Sequence, residues 1–136
     1  MLCWVLVLTN LNPALPQNQK TDKKNVNRVE VYYFHATRRC PTCMAIEENT
    51  KKTLDNYFAK ELKDGSVSFN VVNIDEPNNK KLAEKYEASG SALFLSQIGS
   101  GKENKTDLTD FAFSYGRNNP EKFMTGLKDK IIELLK

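Results

Sequence analysis

Arg38-Arg39-Cys40-Pro41-Thr42-Cys43 joins a run that reads as a strand to one that reads as a helix, and its placement decides the fold. Two thiols on the first turn of a helix lie close enough to close a disulfide or to share a metal. Upstream, Arg28 to His35 holds Val29, Val31, Tyr32, Tyr33 and Phe34. This β-branched and aromatic run is too continuous for a half-exposed strand and predicts a central strand buried on both faces. Ala36 to Arg39 is then the connection that delivers Cys40. Downstream, Ile46, Thr50, Leu54, Phe58 and Leu62 recur every four residues with Tyr57 beside them. Glu47, Glu48, Lys51, Lys52 and Asp55 take the other side. That spacing predicts one helix of about five turns, stopped by Asp64-Gly65.

Beyond Gly65, Val67, Phe69 and Val71 alternate with Ser68 and Asn70, and Val72 and Ile74 extend a second strand. Glu76-Pro77-Asn78 starts a shorter helix that places Leu82 and Tyr86 on one face, with Pro77 in its first turn. Ala92 to Gln97 is a third apolar run. Gly99-Ser100-Gly101 turns the chain, and a fourth strand falls between Lys102 and Phe113. Asn119 caps a last helix, with Pro120 just inside it. Phe123, Met124, Leu127, Ile131, Leu134 and Leu135 form its buried stripe. Strands that alternate with helices imply a partly parallel sheet, and the Gly-turned pair implies an antiparallel edge.

The chain has 136 residues, 40% hydrophobic and 27% charged, which suits one domain able to bury a core without staples. Its 20 Lys and Arg are interspersed with 17 acids for a net charge of +3, so no basic stripe argues for nucleic-acid binding. Three cysteines are too few for a disulfide framework. The third, Cys3, lies in an apolar start from Leu2 to Leu8 that is shorter than the roughly 20 residues of a membrane span. That start resembles the core of a secretory signal, without a preceding Lys or Arg or a clear small-x-small cleavage site. Export is the expected localisation, a cytoplasmic protein the alternative, and the signal the expected link to a membrane. Pro13 to Asn27 has linker composition. Residues 1–27 are therefore assigned to a signal-like start and linker, and residues 28–136 to the domain.

From about Arg28 to Lys136 the chain resembles the thioredoxin superfamily. The likeness rests on the element order, on the C-x-x-C opening the first long helix, and on a second block. That block is Asn73-Ile74-Asp75, then Leu82-Ala83-Glu84-Lys85-Tyr86, then Gly90. The pieces Tyr32-Tyr33-Phe34-His35 and Arg38-Arg39-Cys40 also resemble a small bacterial group named as a nitrophenyl-compound nitroreductase subunit. The thioredoxin resemblance implies a three-layer α/β/α fold on a mixed sheet of about four strands. It departs from this chain in two places. Thioredoxins carry a cis-proline before the third strand, where this chain has Ser91 or Ala92. A cis bond before a non-proline costs roughly 2.5 to 4 kcal/mol, so the loop is expected to be trans. Many thioredoxins also bury an aspartate in the first strand, where Tyr33 or Phe34 stands here.

A thiolate is the nucleophile of disulfide exchange, and its abundance depends on how far its pKa falls below the free value of roughly 8.5. At the helix N-cap, unpaired N–H groups and the positive end of the macrodipole favour negative charge on Cys40, and Arg38 and Arg39 add to it. The expectation is a thiol–disulfide oxidoreductase with Cys40 attacking and Cys43 resolving. Pro41 restrains the loop, and Thr42 has no evident duty. Its substrates would be protein or small-molecule disulfides or dithiols, its partner a second redox protein, its state a monomer, and its cofactor none. His35, the sole histidine, is a candidate proton shuttle or a residue that ends the strand. An alternative is a non-enzymatic module in which Cys40, Cys43 and His35 hold a soft metal or metalloid. Another is a redox-inert interaction domain with a static bridge. Phe111, Phe113 and Tyr115 are expected to pack in the core or at an edge, and Asp75 to serve as a turn residue.

Overall fold

Strand β1 (Arg28–His35) occupies the middle of a four-stranded sheet ordered β2-β1-β3-β4, flanked by β2 (Val67–Asn73) and β3 (Ala92–Gly99). The computed structural model describes residues 27–136. The apolar run at 2–8, Cys3 and the polar linker up to 26 lie outside those residues. β1 runs parallel to β2, with Tyr33 opposite Val71, and antiparallel to β3, with Phe34 opposite Ala92. β4 (Lys102–Asp107) pairs antiparallel with β3 and forms one edge. The helices are α1 (Pro41–Tyr57), α2 (Ala59–Asp64), α3 (Lys80–Lys85), α4 (Thr109–Tyr115) and α5 (Pro120–Leu135). None of the described helices is long and apolar enough to cross a membrane.

Side chains alternate across β1, so its apolar run feeds two cores. Val29, Val31 and Tyr33 join Leu93 and Leu95 on one face, under Ile46 and Leu54 of α1, Ala112 of α4, and Phe123, Leu127 and Ile131 of α5. Phe34 points to the other face with Val72 and Ala92, where Tyr86 closes a smaller cluster with Tyr32, Leu82 and Phe94. Helices thus cover both faces, and the expected three-layer α/β/α arrangement on a mixed four-stranded sheet is the one found. Asn119 caps α5 as its sequence position predicts, its Oδ1 accepting the Lys122 N–H at 3.1 Å with Pro120 opening the helix.

Four local expectations are corrected. The single long helix divides at Phe58, where φ is −130° and the ring lies in the larger core. Hydrogen bonds still run from Phe58 N–H to Leu54 O and from Leu62 N–H to Phe58 O, so the apolar period crosses the break unchanged. Tyr57 accordingly lies outside, 49% exposed, with the Lys128 ammonium over its ring. Gly65 ends α2 in the left-handed region, φ +84°, where glycine carries no Cβ penalty. The second helix begins as a 3-10 turn at Pro77–Asn79 before α3. Val71 is 42% exposed because β2 is a sheet edge and no helix covers it there. Phe111, Phe113 and Tyr115 lie on α4, a helix with no forecast, where Phe111 stacks on Phe123 and Phe113 faces outward.

β4 reads Lys-Glu-Asn-Lys-Thr-Asp, with no apolar residue to bury. Glu103 anchors it. Its carboxylate pairs with Lys85 at 2.7 Å and accepts from the Ser96 hydroxyl at 2.7 Å and the Tyr86 hydroxyl at 3.0 Å. Lys85 and these hydroxyls hold its pKa down at about 2, against an ordinary 4.5. A carboxylate depressed on folding stabilises the native state above its unfolded pKa, and that stabilisation disappears as pH falls through the folded value. Glu103→Gln is therefore expected to cost on the order of 1 kcal/mol or less near neutrality, after solvent screening of a side chain 29% exposed. In urea titrations the difference from the wild type should shrink between pH 4.5 and pH 2. A difference independent of pH would contradict the anchoring role.

Candidate functional site

β1 ends at His35, four loop residues follow, and Cys40 sits at the N-cap of α1 with extended backbone angles, φ −91° and ψ 159°. Pro41 occupies the first helical position, where its missing N–H is no loss. Cys40 and Cys43 are joined by a disulfide with Cα atoms 5.0 Å apart. The Cys40 Sγ accepts the Cys43 N–H at 3.0 Å, and the Cys40 carbonyl accepts the Met44 N–H at 3.0 Å. The helix thus directs one of its free N–H groups at a sulfur. Cys40 is half-buried and Cys43 only 7% exposed, which orders the two thiols by accessibility. Pro41 is exposed and Thr42 half-buried beside them.

Cys43 is surrounded by hydroxyls. The fully buried Tyr33 donates its hydroxyl to the Cys43 carbonyl at 2.7 Å, and the Ser91 hydroxyl lies 3.3 Å from the Cys43 Sγ. Burial pushes the Tyr33 pKa up, partly offset by side-chain hydrogen bonding from Ser91 and by Arg39. Ser91 precedes β3 and Ala92 opens it. The peptide bonds there are trans, as expected from the absence of proline. Ser91 was singled out as a loop position, but its contact with sulfur carries no local sequence signal, because it is made across 48 residues.

The other expected site residues are distributed around the loop. Arg38 is exposed. Arg39 forms an ion pair with Glu47 of α1, which offsets its charge, and its Nε is buried without a partner. Glu47 had been read only as part of a solvated helix face. The His35 Nδ1 sits 2.8 Å from the Ala36 carbonyl, and its ring packs beside Tyr33. Asp75 holds the loop as a turn residue would: its carboxylate accepts the Thr37 N–H at 2.7 Å, and that bond lowers its pKa. Asn73 adds a bond to the Thr37 hydroxyl at 3.1 Å. Among the described residues no group of three or more His, Cys, Asp or Glu side chains is placed to hold a metal. Cys40, Cys43 and His35 are therefore not gathered as the donor set of the metal reading.

No protein-family model and no curated protein matches the chain, and the likeness to the nitroreductase-subunit group finds no support. Solved structures do match. A thioredoxin from Thermus thermophilus aligns over 78% of this chain and 75% of its own, with TM-score 0.51 and 19% identity. Fasciola hepatica thioredoxin covers 80% of this chain and 82% of its own, at TM-score 0.47 and 23% identity. Oxidised thioredoxin O2 from Arabidopsis thaliana covers 80% and 76%, at TM-score 0.49 and 20% identity. The Thermus thermophilus match, together with the sheet order and the layering, makes this a protein of thioredoxin-like fold.

Proposed function

We propose that the protein is a thiol–disulfide oxidoreductase in which Cys40 attacks and Cys43 resolves. The observation that carries this reading is the Cys40–Cys43 disulfide at the start of α1, with the more accessible sulfur accepting a helix N–H. That hydrogen bond and the helix dipole both favour the thiolate over the thiol at Cys40. The dipole acts where Arg39, occupied by Glu47, contributes less than its full charge, and exposed Arg38 adds a second, solvated charge. A structural bridge is less well supported. The cysteines are only 3 apart in sequence, so chain entropy gives the bridge about 2 kcal/mol, and two apolar cores already hold the fold.

In the proposed cycle the Cys40 thiolate attacks one sulfur of a disulfide, a Cys40–substrate bond forms, and the other substrate sulfur leaves as thiolate. Cys43 then displaces the bound sulfur and closes the Cys40–Cys43 bridge. The substrate is a protein or small-molecule disulfide or dithiol. A separate redox partner resets the pair, and no organic cofactor takes part. An extracytoplasmic setting agrees with the apolar residues 2–8. Cys43→Ser should leave the mixed disulfide unresolved, so incubation with an oxidised peptide is expected to accumulate one peptide per chain at Cys40, read by intact mass. No adduct, or an adduct that peptide mapping places on Cys3 and not on Cys40, would overturn the reading.

A further inference from the structure

The resolving step needs a second thiolate, and Cys43 lies deeper than Cys40, only 7% exposed. Burial in apolar surroundings disfavours a charged sulfur. The helix N–H that serves Cys40 is supplied by Cys43 itself, so Cys43 does not share that stabilisation. Resting on the oxidoreductase reading, we propose that the Ser91 hydroxyl donates to the Cys43 sulfur as it ionises, and that Tyr33 is the positioning residue holding both groups for that step.

Two contacts support this assignment. The Ser91 Oγ is 3.3 Å from the Cys43 Sγ, the reacting atom. The Tyr33 hydroxyl spends its proton on the Cys43 carbonyl at 2.7 Å, so its oxygen is left to accept. Ser91 and Arg39 both act to lower the pKa of that hydroxyl against the effect of its burial. A serine hydroxyl has a single proton. With the pair oxidised the Ser91 hydroxyl already faces the Cys43 Sγ, and once Cys43 becomes thiolate that sulfur is a much stronger acceptor. The existing contact therefore strengthens on ionisation without moving the backbone.

Ser91 also lines a solvent-open groove of about 570 Å³ with Gly90, Ala92, Asp107 and Thr109. In the resolving step the Cys43 proton passes to that solvent and Ser91 donates to the resulting thiolate. The thiolate attacks the Cys40 Sγ, and the Cys40–Cys43 bond forms as the Cys40–substrate bond breaks. The electron pair leaves with the substrate sulfur, which solvent protonates. The titratable or charged groups around this point are Tyr33 and His35 from β1, Arg39 of the loop with its partner Glu47 from α1, and, along the groove that Ser91 lines, Tyr86, Glu87, Lys105, Asp107 and Asp110. Ser91, from the β3 side, is uncharged and acts through its dipole.

The test follows the fully reduced chain carrying Cys3→Ser, which removes the third thiol, reacting with dithiobis-nitrobenzoate, which releases one coloured thiolate when Cys40 attacks and a second when Cys43 resolves. Ser91→Ala and Tyr33→Phe should leave the first phase unchanged. They should slow the second about tenfold at neutral pH and raise its apparent pKa by about one unit, the loss of one hydrogen bond to a charged group. Ser91→Thr, which keeps the hydroxyl, should restore the wild-type profile. Tyr33→Phe keeps the ring and guards against a folding defect in the Ser91 variants. A second phase whose pH profile is unaltered in Ser91→Ala and Tyr33→Phe, or slowed with no shift, overturns the proposal while leaving the oxidoreductase reading intact. Absence of two phases in the wild-type chain overturns both.

Discussion

Cys40→Ser is expected to abolish disulfide exchange, lowering the rate of mixed-disulfide formation roughly a thousandfold or more, because the nucleophile itself is removed. The half-buried Cys40 Sγ is the sulfur at the helix start, and nearly buried Cys43 is poorly placed to attack an outside disulfide in its stead. The variant should fold, since the lost bridge closes a very short loop and costs about 2 kcal/mol by chain entropy. The measurement pairs turnover of an oxidised peptide with circular dichroism. Retained turnover in folded Cys40→Ser would move the chemistry elsewhere. Cys43→Ser differs in kind: it should still form the mixed disulfide and stop there.

The second large effect is on stability. Phe123 is fully buried, stacks on Phe111 with ring centroids 5.7 Å apart, and joins α5 to the same core that receives Val29, Val31 and Tyr33 of β1. Phe123→Ala removes an aromatic ring from the interface between α4, α5 and the sheet, and should cost about 3 to 5 kcal/mol. Against a total stability of about 5 to 15 kcal/mol, that is enough to bring the chain near its unfolding midpoint. Denaturant titration should show a lower midpoint with an unchanged slope, the mark of lost packing in an intact native state. A loss below about 1 kcal/mol would mean that this core is less closely packed than its burial indicates.

These two residues also show what could be read along the chain. The β1 run, the cysteine pair after it and the Asn119-Pro120 start of α5 are local signals, each produced by neighbours within a few positions, and each is found where expected. The break at Phe58 was invisible because Ile46, Leu54, Phe58 and Leu62 keep a helical period through it. α4 was missed because Phe111, Phe113 and Tyr115 are spaced by two, as in a strand, although only Phe111 and Tyr115 pack inward. A weak cue existed in Asp107, whose side chain accepts the Thr109 N–H at 2.9 Å as that helix begins. β4 offered no apolar pattern because its anchor is the polar Glu103 network.

The site divides along the same line. Cys40, Pro41 and Cys43 are adjacent in sequence and were legible at once. The surroundings that tune them arise from tertiary pairing: Tyr33 from the central strand, Ser91 ahead of β3, Glu47 bound to Arg39, and Asp75 holding the loop at Thr37. Thioredoxin resemblance directed attention to Ser91 and to the strand position of Tyr33 as departures. What those departures place beside Cys43, two hydroxyls in contact with its carbonyl and its sulfur, required the folded chain.

The helix start is claimed to make one sulfur more acidic than the other, and site-resolved alkylation of the reduced chain across pH measures that directly. Iodoacetamide trapping followed by peptide mass analysis should give Cys40 a half-point at least about one unit below the free-cysteine value of roughly 8.5, with Cys43 titrating later. Two cysteines that modify together, with half-points near that of free cysteine, would contradict the account.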